Sequence, residues 1–543
     1  MNLSASDDTR RDAEASRERI SRIRVRSAPV TIKRLAPASM GRAAAKARNC
    51  LRFMFLYNTG MPVSRRAFLM SLAGAAMPGQ SAPVRNVLFI STDDLNNCLS
   101  AYGHDVVRTP NIDRIARNGV RFDRAYCQFP LCSPSRVSIM TGYAPDTTKI
   151  YDLKTHFRTT IPNAVTLGQL FQKNNVFAAR VGKIYHYGNP GDIGTDGLDD
   201  PPTWNQRFNP KGVDKTEEDR LTNFTPNRGI GSAVAYYASP AKDAEHTDGM
   251  VADQIIRLME QHRHERFFLG CGFYKPHVPW IAPSKYFDQV PLERVKLIPF
   301  EEWEMTIAPQ WAYFTRPAHW GMSERQRLEA MRAYYATILF LDAQVGRVLD
   351  ALERLKLQDN TAVVFWSDHG YQLGEHGQWM KQTVFEPAAR SPLIIAGAGV
   401  KARGKGCPRT VEFLDIYPTL ADLCGLKGAP KDLHGVSLRP LLDNPNAGWD
   451  RPAVSQVRRG GKQIVMGHSL RTERYRYTMW NAGREGEELY DYSADPRELK
   501  QLAKEPSAQP LKQQLRARLE KIIKARGWKD EAVKVDTSAD DDD

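Results

Sequence analysis

Asp93 and Asp94 follow Ser91-Thr92, and Asp368 and His369 follow Trp366-Ser367. Each pair closes a short run of β-branched, aliphatic and aromatic residues, Val84 to Ile90 and Thr361 to Trp366. Three carboxylates and an imidazole suit a hard divalent cation, which prefers oxygen ligands and would neutralise such a cluster. A lone Asp-Asp reads as a turn or a helix cap. Two acidic clusters that end two buried strands face one crevice, and that favours metal ligation. Polar clusters recur at two further strand ends: Lys183 and His186 follow the run 175–181, and Lys275 and His277 follow 266–273.

Side chains placed this way need a sheet to carry them. A further apolar run at 391–396 reads as a strand, and helix patterns at 111–118, 165–174, 247–262 and 324–355 alternate with the strands. In the last of these Met331, Tyr335, Ile338, Leu341, Val345, Leu349 and Leu352 recur near helical spacing. Alternating strands and helices predict an α/β fold with helices on both faces of the sheet. Ligands in such folds bind beyond the carboxyl ends of the strands, where all four polar clusters fall. The Gly-, Pro-, Asp- and Asn-rich stretch 188–245 lacks periodicity and reads as a long surface insertion of the kind that shapes substrate access. After a break near 443–452, short runs at 463–466, 469–472, 475–479 and 488–491 predict a smaller antiparallel sheet, followed by a polar helix at 507–526.

The composition narrows the class further. A chain of 543 residues with 42% hydrophobic and 25% charged residues is globular, neither coiled coil nor wholly disordered. No apolar run approaches the roughly 18 residues of a spanning helix, so no integral membrane segment is expected. Seven sparse cysteines without a CxxC pair indicate neither a disulfide scaffold nor a zinc ribbon. The net charge of +14 is concentrated at the start: residues 1–66 hold 15 basic and 5 acidic side chains, leaving 61 against 57 for the rest. A nucleic-acid-binding body is therefore not expected. Ser64-Arg65-Arg66-Ala67-Phe68-Leu69, with the mildly apolar 71–77 after it, resembles a twin-arginine export signal, and Gln80-Ser81-Ala82 offers a small-residue cleavage site. Such signals open their chains, so Met61 is the expected first residue and 1–60 an artefact of the assigned start.

The segment Leu131-Cys132-Ser133-Pro134-Ser135-Arg136 points to a family. Cys-x-Pro-Ser-Arg, between Arg121–Tyr126 and Val137–Tyr143, resembles the signature of the formylglycine-dependent sulfatases of the alkaline-phosphatase-like fold. The resemblance runs from about residue 84 to 500. Within the family the chain is most similar to the iduronate-2-sulfatase subgroup, on Gly182–Gly188, Gly272–Pro279, Ser367–Lys381, Pro145–Thr148 and Ile464–Thr472. It implies a large mixed sheet with helices on both faces and a smaller C-terminal antiparallel subdomain. It implies that Cys132 is oxidised to formylglycine by a maturation enzyme, and that Asp93, Asp94, residue 132, Asp368 and His369 hold calcium, ahead of magnesium. The hydrated aldehyde would attack sulfur and later expel sulfate. Arg136 would fix the hydrate, Lys183 and Lys381 would bind sulfate oxygens, His277 would protonate the leaving alkoxide and His186 would assist at the hydrate.

These readings divide the chain into a basic leader with the export signal (1–82), a catalytic domain (84–442), a C-terminal subdomain (453–527) and an acidic, disordered tail (528–543). The expected protein is an exported sulfatase for sulfated carbohydrate, with a 2-O-sulfated uronate as substrate and Lys275 and Lys381 pairing with an anionic substituent. Departures concern the sugar: Tyr371 stands where the subgroup has Trp, and 188–245 does not match. Another sulfated sugar, or phosphate or phosphonate ester hydrolysis on the same fold, is the alternative. A non-catalytic binding protein is disfavoured by the intact Cys132, Arg136, Lys183, His277 and Lys381.

Overall fold

The computed structural model describes residues 84–461 and 464–530. The basic leader, the twin-arginine-like segment and the acidic tail beyond 530 lie outside the described residues. The described residues form one compact unit.

An eight-stranded mixed sheet forms its centre, in the order Lys405–Glu412, Gly119–Tyr126, Leu393–Gly397, Thr361–Ser367, Asn86–Thr92, Phe267–Gly272, Phe177–Gly182, Gln206–Phe208. Every neighbouring pair is parallel except those made by Leu393–Gly397, which runs against both partners. The central strand explains the continuous apolar runs in the sequence. Val87 and Phe89 enter one core and Leu88 and Ile90 the other, so both faces are covered and alternation has nothing polar to show.

Helices Pro110–Arg117, Thr247–Gln261 and Glu324–Arg354 cover one face; Cys132–Thr141, Leu167–Lys173 and Ile416–Leu423 cover the other. The longest helix starts at a capping box. Ser323 Oγ accepts from the Gln326 amide at 3.3 Å, and the Gln326 side chain accepts from the Ser323 amide at 2.9 Å. Its buried face includes all seven residues picked out by helical spacing.

A four-stranded antiparallel sheet, Ala453–Arg459, Val465–Arg471, Tyr475–Trp480 and Glu487–Asp491, carries helix Gln509–Ala525 on one face. Leu515, Leu519 and Ile523, spaced by four, pack there with Leu470, Tyr477 and Leu489. Arg526 pairs doubly with Glu412 at the end of strand Lys405–Glu412, at 2.6 and 2.8 Å, and Glu412 Oε1 also accepts from the Val454 amide. The second sheet is thereby fixed to the edge of the first.

Two expectations are corrected. The runs 463–466 and 469–472 belong to a single strand, Val465–Arg471, because Gly467 and His468 continue the ladder that their polarity and size obscured. The stretch 188–245 is more than a surface loop. It supplies the edge strand Gln206–Phe208 to the main sheet, and Ala235–Ser239 lies between Thr222–Asn223 and Trp280–Pro283 in a small separate sheet. Strands of two to five residues are too short to show a period.

Candidate active site

Register in the main sheet decides where the chemistry sits. Thr92 and Ser367 are partners on neighbouring parallel strands, and both Ser91 and Gly182 pair with Gly272. Four adjacent strands therefore end near one level, and the chain delivers Asp93-Asp94, Asp368-His369, Lys183 and the loop of Lys275 and His277 to one crevice. Gly182 and Gly272 permit the close approach. A Cβ on Gly182, which has φ +72°, would lie 2.1 Å from the Gly272 carbonyl oxygen, and one on Gly272 would lie 2.3 Å from that of Lys183.

Cys132 opens helix Cys132–Thr141, whose first turn carries partial positive charge into the crevice. Its Sγ lies 3.1 Å from Lys381 Nζ, 3.4 Å from Asp93 Oδ1 and 3.4 Å from His369 Nε2. Lys183 Nζ meets Asp93 Oδ2 at 2.7 Å, and Lys381 Nζ meets Asp94 Oδ1 at 2.9 Å and His277 Nε2 at 3.1 Å. The Nδ1–H of His369 donates to the Gly370 carbonyl at 2.9 Å, so in the neutral ring Nε2 turns its lone pair toward Asp94 and Cys132. All ten residues selected from the sequence are buried, and the structure gathers them into one cluster.

Arg136 is held by protein acceptors at the floor of the crevice. Its five N–H groups go to Asp368 Oδ2 (2.9 Å), the Lys183 and Ile184 carbonyls (2.9 and 3.1 Å), the Thr92 carbonyl (2.8 Å) and Asp93 Oδ1 (3.1 Å). With every donor engaged, it positions the two carboxylates and ties three strand ends together.

The electrostatics follow from burial and pairing. Burial alone would raise Asp93, yet the charges of Lys183, Arg136 and Lys381 hold it well below the usual carboxylate range. Burial raises Asp94 against the pull of Lys381 and His369. Burial, reinforced by Lys381 for His277 and by Lys183 for His186, pushes both imidazoles well below their ordinary range, so both rings are neutral. Burial and Asp93 push the Cys132 thiol well up, which makes the unmodified side chain a poor nucleophile. Asp93, Asp94 and Asp368 balance Arg136, Lys183 and Lys381, a net of zero (3 − 3). A divalent cation would leave the site at about +2, suited to an anionic ester.

A model of the family described as "Sulfatase" matches residues 85–426. The chain belongs to the sulfatase family. A second model, the C-terminal region of N-sulphoglucosamine sulphohydrolase, matches 374–525 of this sulfatase. It is 32% identical over 435 residues to a "Sulfatase" of Formosa agariphila, covering 76% of this chain and 82% of that one. It is 31% identical over 503 residues to iduronate 2-sulfatase of Mus musculus, covering 76% and 88%. The solved structure of a 2-O GAG sulfatase superposes with a TM-score of 0.64 at 25% identity, covering 83% of this chain and 95% of the other. This sulfatase is a sulfuric ester hydrolase with the alkaline-phosphatase-like fold.

Several supporting residues escaped the sequence reading. Tyr334 Oη donates to the Asp94 carbonyl at 2.7 Å and accepts from the Asn96 amide at 2.9 Å, clamping a turn in which Asp94 holds φ 64°. Helical spacing selects its neighbour Tyr335, which is also buried, so nothing in the pattern separates the two. Asp248 accepts from the Tyr274 and Lys275 amides at 2.8 and 3.0 Å and sets the loop that carries His277. Lys275, expected to reach a sugar substituent, is buried with Nζ on the Pro279 carbonyl at 2.9 Å. The one usable signal was glycine: Gly182 directly precedes Lys183.

Proposed function

We propose that this sulfatase removes the 2-O-sulfate from a terminal uronate of a saccharide, using formylglycine at position 132 and one calcium ion. What carries the reading is the similarity to iduronate 2-sulfatase over most of both chains, taken with the buried anion-ready cluster around residue 132.

The side chains fit a hard cation. Asp94 Oδ2 is buried without a hydrogen-bond partner among the described residues, and ligand atoms of Asp93, Asp94 and Asp368 lie within 4.8 Å of one another. Asp93, Asp94, residue 132, Asp368 and His369 would hold the ion. A set of this size with mostly oxygen donors favours calcium over magnesium. When bound, calcium supplies positive charge against the sulfate oxygens. Formylglycine, as its hydrate, supplies an oxygen nucleophile that can release sulfate by returning to the aldehyde, which a thiol cannot do.

The remaining work falls to the chain. Lys183 and Lys381 stay protonated through Asp93 and Asp94 and present their charge to the ester oxygens. Lys381 Nζ, 3.1 Å from the Nε2 lone pair of neutral His277, gives that ring a proton, which the ring passes to the departing sugar oxygen, and neutral His186 takes one at the hydrate. Arg136 keeps Asp93 and Asp368 in place. Burial of the whole cluster excludes bulk water and strengthens each of these interactions. The twin-arginine-like segment supports export, and oxidation of Cys132 would require a formylglycine-generating partner.

A panel of sulfated mono- and disaccharides, differing in sulfate position and in the presence of a carboxylate, tests the substrate. Sulfate release should favour 2-O-sulfated uronates. Preference for 6-O- or 4-O-sulfated neutral sugars would remove that assignment and leave the sulfatase standing.

A further inference from the structure

A cavity of about 480 Å³ opens beside the buried cluster, and Leu131 and Gln382, the chain neighbours of Cys132 and Lys381, form part of its wall. The volume lies within the range of small-molecule sites. Its lining is basic: Lys154, Arg228, Arg458 and Arg459 face it, against Asp152 as the acidic residue among the described lining. The Asp152 carboxylate is already engaged by the Lys154 and Thr155 amides at 2.8 and 2.7 Å and by the Thr155 hydroxyl at 2.8 Å.

Arg228 and Arg459 share one aromatic ring. Their guanidinium carbons stand 5.8 and 5.7 Å from the Phe314 centroid, and Arg228 also lies 4.3 Å from that of Trp320. Arg228 Nε donates to the Ser232 carbonyl at 2.9 Å. Arg459 donates to the carbonyls of Trp311, Arg458 and Gln382. Neither guanidinium meets a carboxylate among the described residues. Burial pushes Arg459 down to about 9 and lowers Arg228, with no carboxylate to offset it in either case. A half-buried cation without a counter-ion is costly, and an arriving anion removes that cost.

A third polar group, Tyr371, lies near both Arg228 and the reaction centre. The Tyr371 hydroxyl is fully buried and has no hydrogen-bond partner among the described residues. It lies within electrostatic reach of Asp94, Lys381 and Arg228. Its ring is fixed, stacked on Tyr334 at 5.2 Å and edge-on to Trp280 at 6.1 Å.

We propose that Arg228 and Arg459, gathered about Phe314, form a second anion subsite for a sulfate or carboxylate on the sugar next to the one being desulfated. The Tyr371 hydroxyl donates to the saccharide between the two. The subsite deepens the saccharide reading above and rests on it. It also gives the 188–245 stretch a task, since Arg228 belongs to it. Arg459, from the C-terminal sheet, completes the pair.

The test uses hydrolysis of p-nitrophenyl sulfate by the full chain as the reporter, with disaccharides as competitors. Two competitors share a 2-O-sulfated uronate and differ only in whether the neighbouring sugar carries a sulfate. The wild-type protein should bind the disulfated one at least tenfold more tightly, and added salt should shrink the difference. Arg228→Gln, which disturbs one backbone hydrogen bond, should bring the ratio of inhibition constants close to one, and Arg228→Lys should restore part of it. Arg459→Gln should act in the same direction, with thermal unfolding showing whether the loss of its three carbonyl contacts has disturbed the fold. Equal ratios in wild type and Arg228→Gln, or no preference in the wild type, would overturn the subsite. Release of inorganic sulfate from the disaccharides themselves is measured separately. Its absence would sink the uronate reading, while the competition result still decides the subsite.

Discussion

Thr92 and Ser367 face each other across neighbouring parallel strands, so the residues that follow them, Asp93 and Asp368, leave the sheet side by side. Like charges this close need a shared cation, and Arg136 provides it with 3.1 and 2.9 Å contacts to the two carboxylates. Arg136→Lys cannot reproduce five fixed donors. It should cost about 1–3 kcal/mol of stability, the usual penalty for buried acceptors left unpaired while the positive charge is kept, read from urea unfolding. A loss under about 1 kcal/mol would show that the guanidinium is not what holds the two strand ends.

Residue 132 should carry an aldehyde in active protein, visible in the intact mass of its peptide and by labelling with an aminooxy probe. Cys132→Ala should abolish sulfate release. The melting temperature should move by only a few degrees, because a small buried side chain replaces another. Substantial turnover by a chain that retains the thiol would refute the nucleophile.

Calcium should raise the melting temperature of the wild-type protein by mass action, by an amount that grows with its concentration. Asp94→Asn and Asp368→Asn should each reduce that shift and lower sulfate release in parallel. Exhaustive chelation that left both melting temperature and activity untouched would remove the metal from the site.

Asp342, on the longest helix, accepts from the Asn111 and Ile112 amides at 3.2 and 2.8 Å. Burial nevertheless raises its carboxyl to about 6. A folded value above the ordinary one near 3.9 means that the folded state binds the proton more tightly. The stabilisation is therefore full below about pH 4 and is lost as pH rises to about 6, by an amount of order 2–3 kcal/mol. Urea unfolding across this window should show the decline, and Asp342→Asn should flatten it. An identical pH slope in the variant would exclude Asp342 as its source.

The parts of this molecule that the sequence disclosed were those with dense local signals. Strands buried on both faces, such as Asn86–Thr92, read as unbroken apolar runs, and Glu324–Arg354 advertises its face over many turns. The site was legible because its side chains follow those strands directly, and the Cys132–Arg136 segment carries a family signature. What stayed hidden depends on partners far away. Gly119–Tyr126 alternates Arg121, Asp123 and Arg124 with buried residues, and only its neighbours in the sheet make it a core strand. The role of Arg136 likewise depends on five acceptors from other segments, and no spacing within its own helix encodes them. Arg228 lay in a stretch without periodicity, where a functional charge and a solvated one look alike.

The amide of Asp94 and the carboxylate of Asp368 meet at 3.2 Å across a separation of 274 residues. At roughly 5–20 residues per second of synthesis, that separation corresponds to on the order of 14–55 s. Throughout this interval the crevice lacks one of its walls, and the long-range parallel pairing adds further delay. Cys132 is sealed in the finished molecule. Under the proposed oxidation of Cys132, the topology of the sheet would work as a timer, leaving the thiol open to the modifying enzyme while the chain is growing and closing it once the last wall is in place.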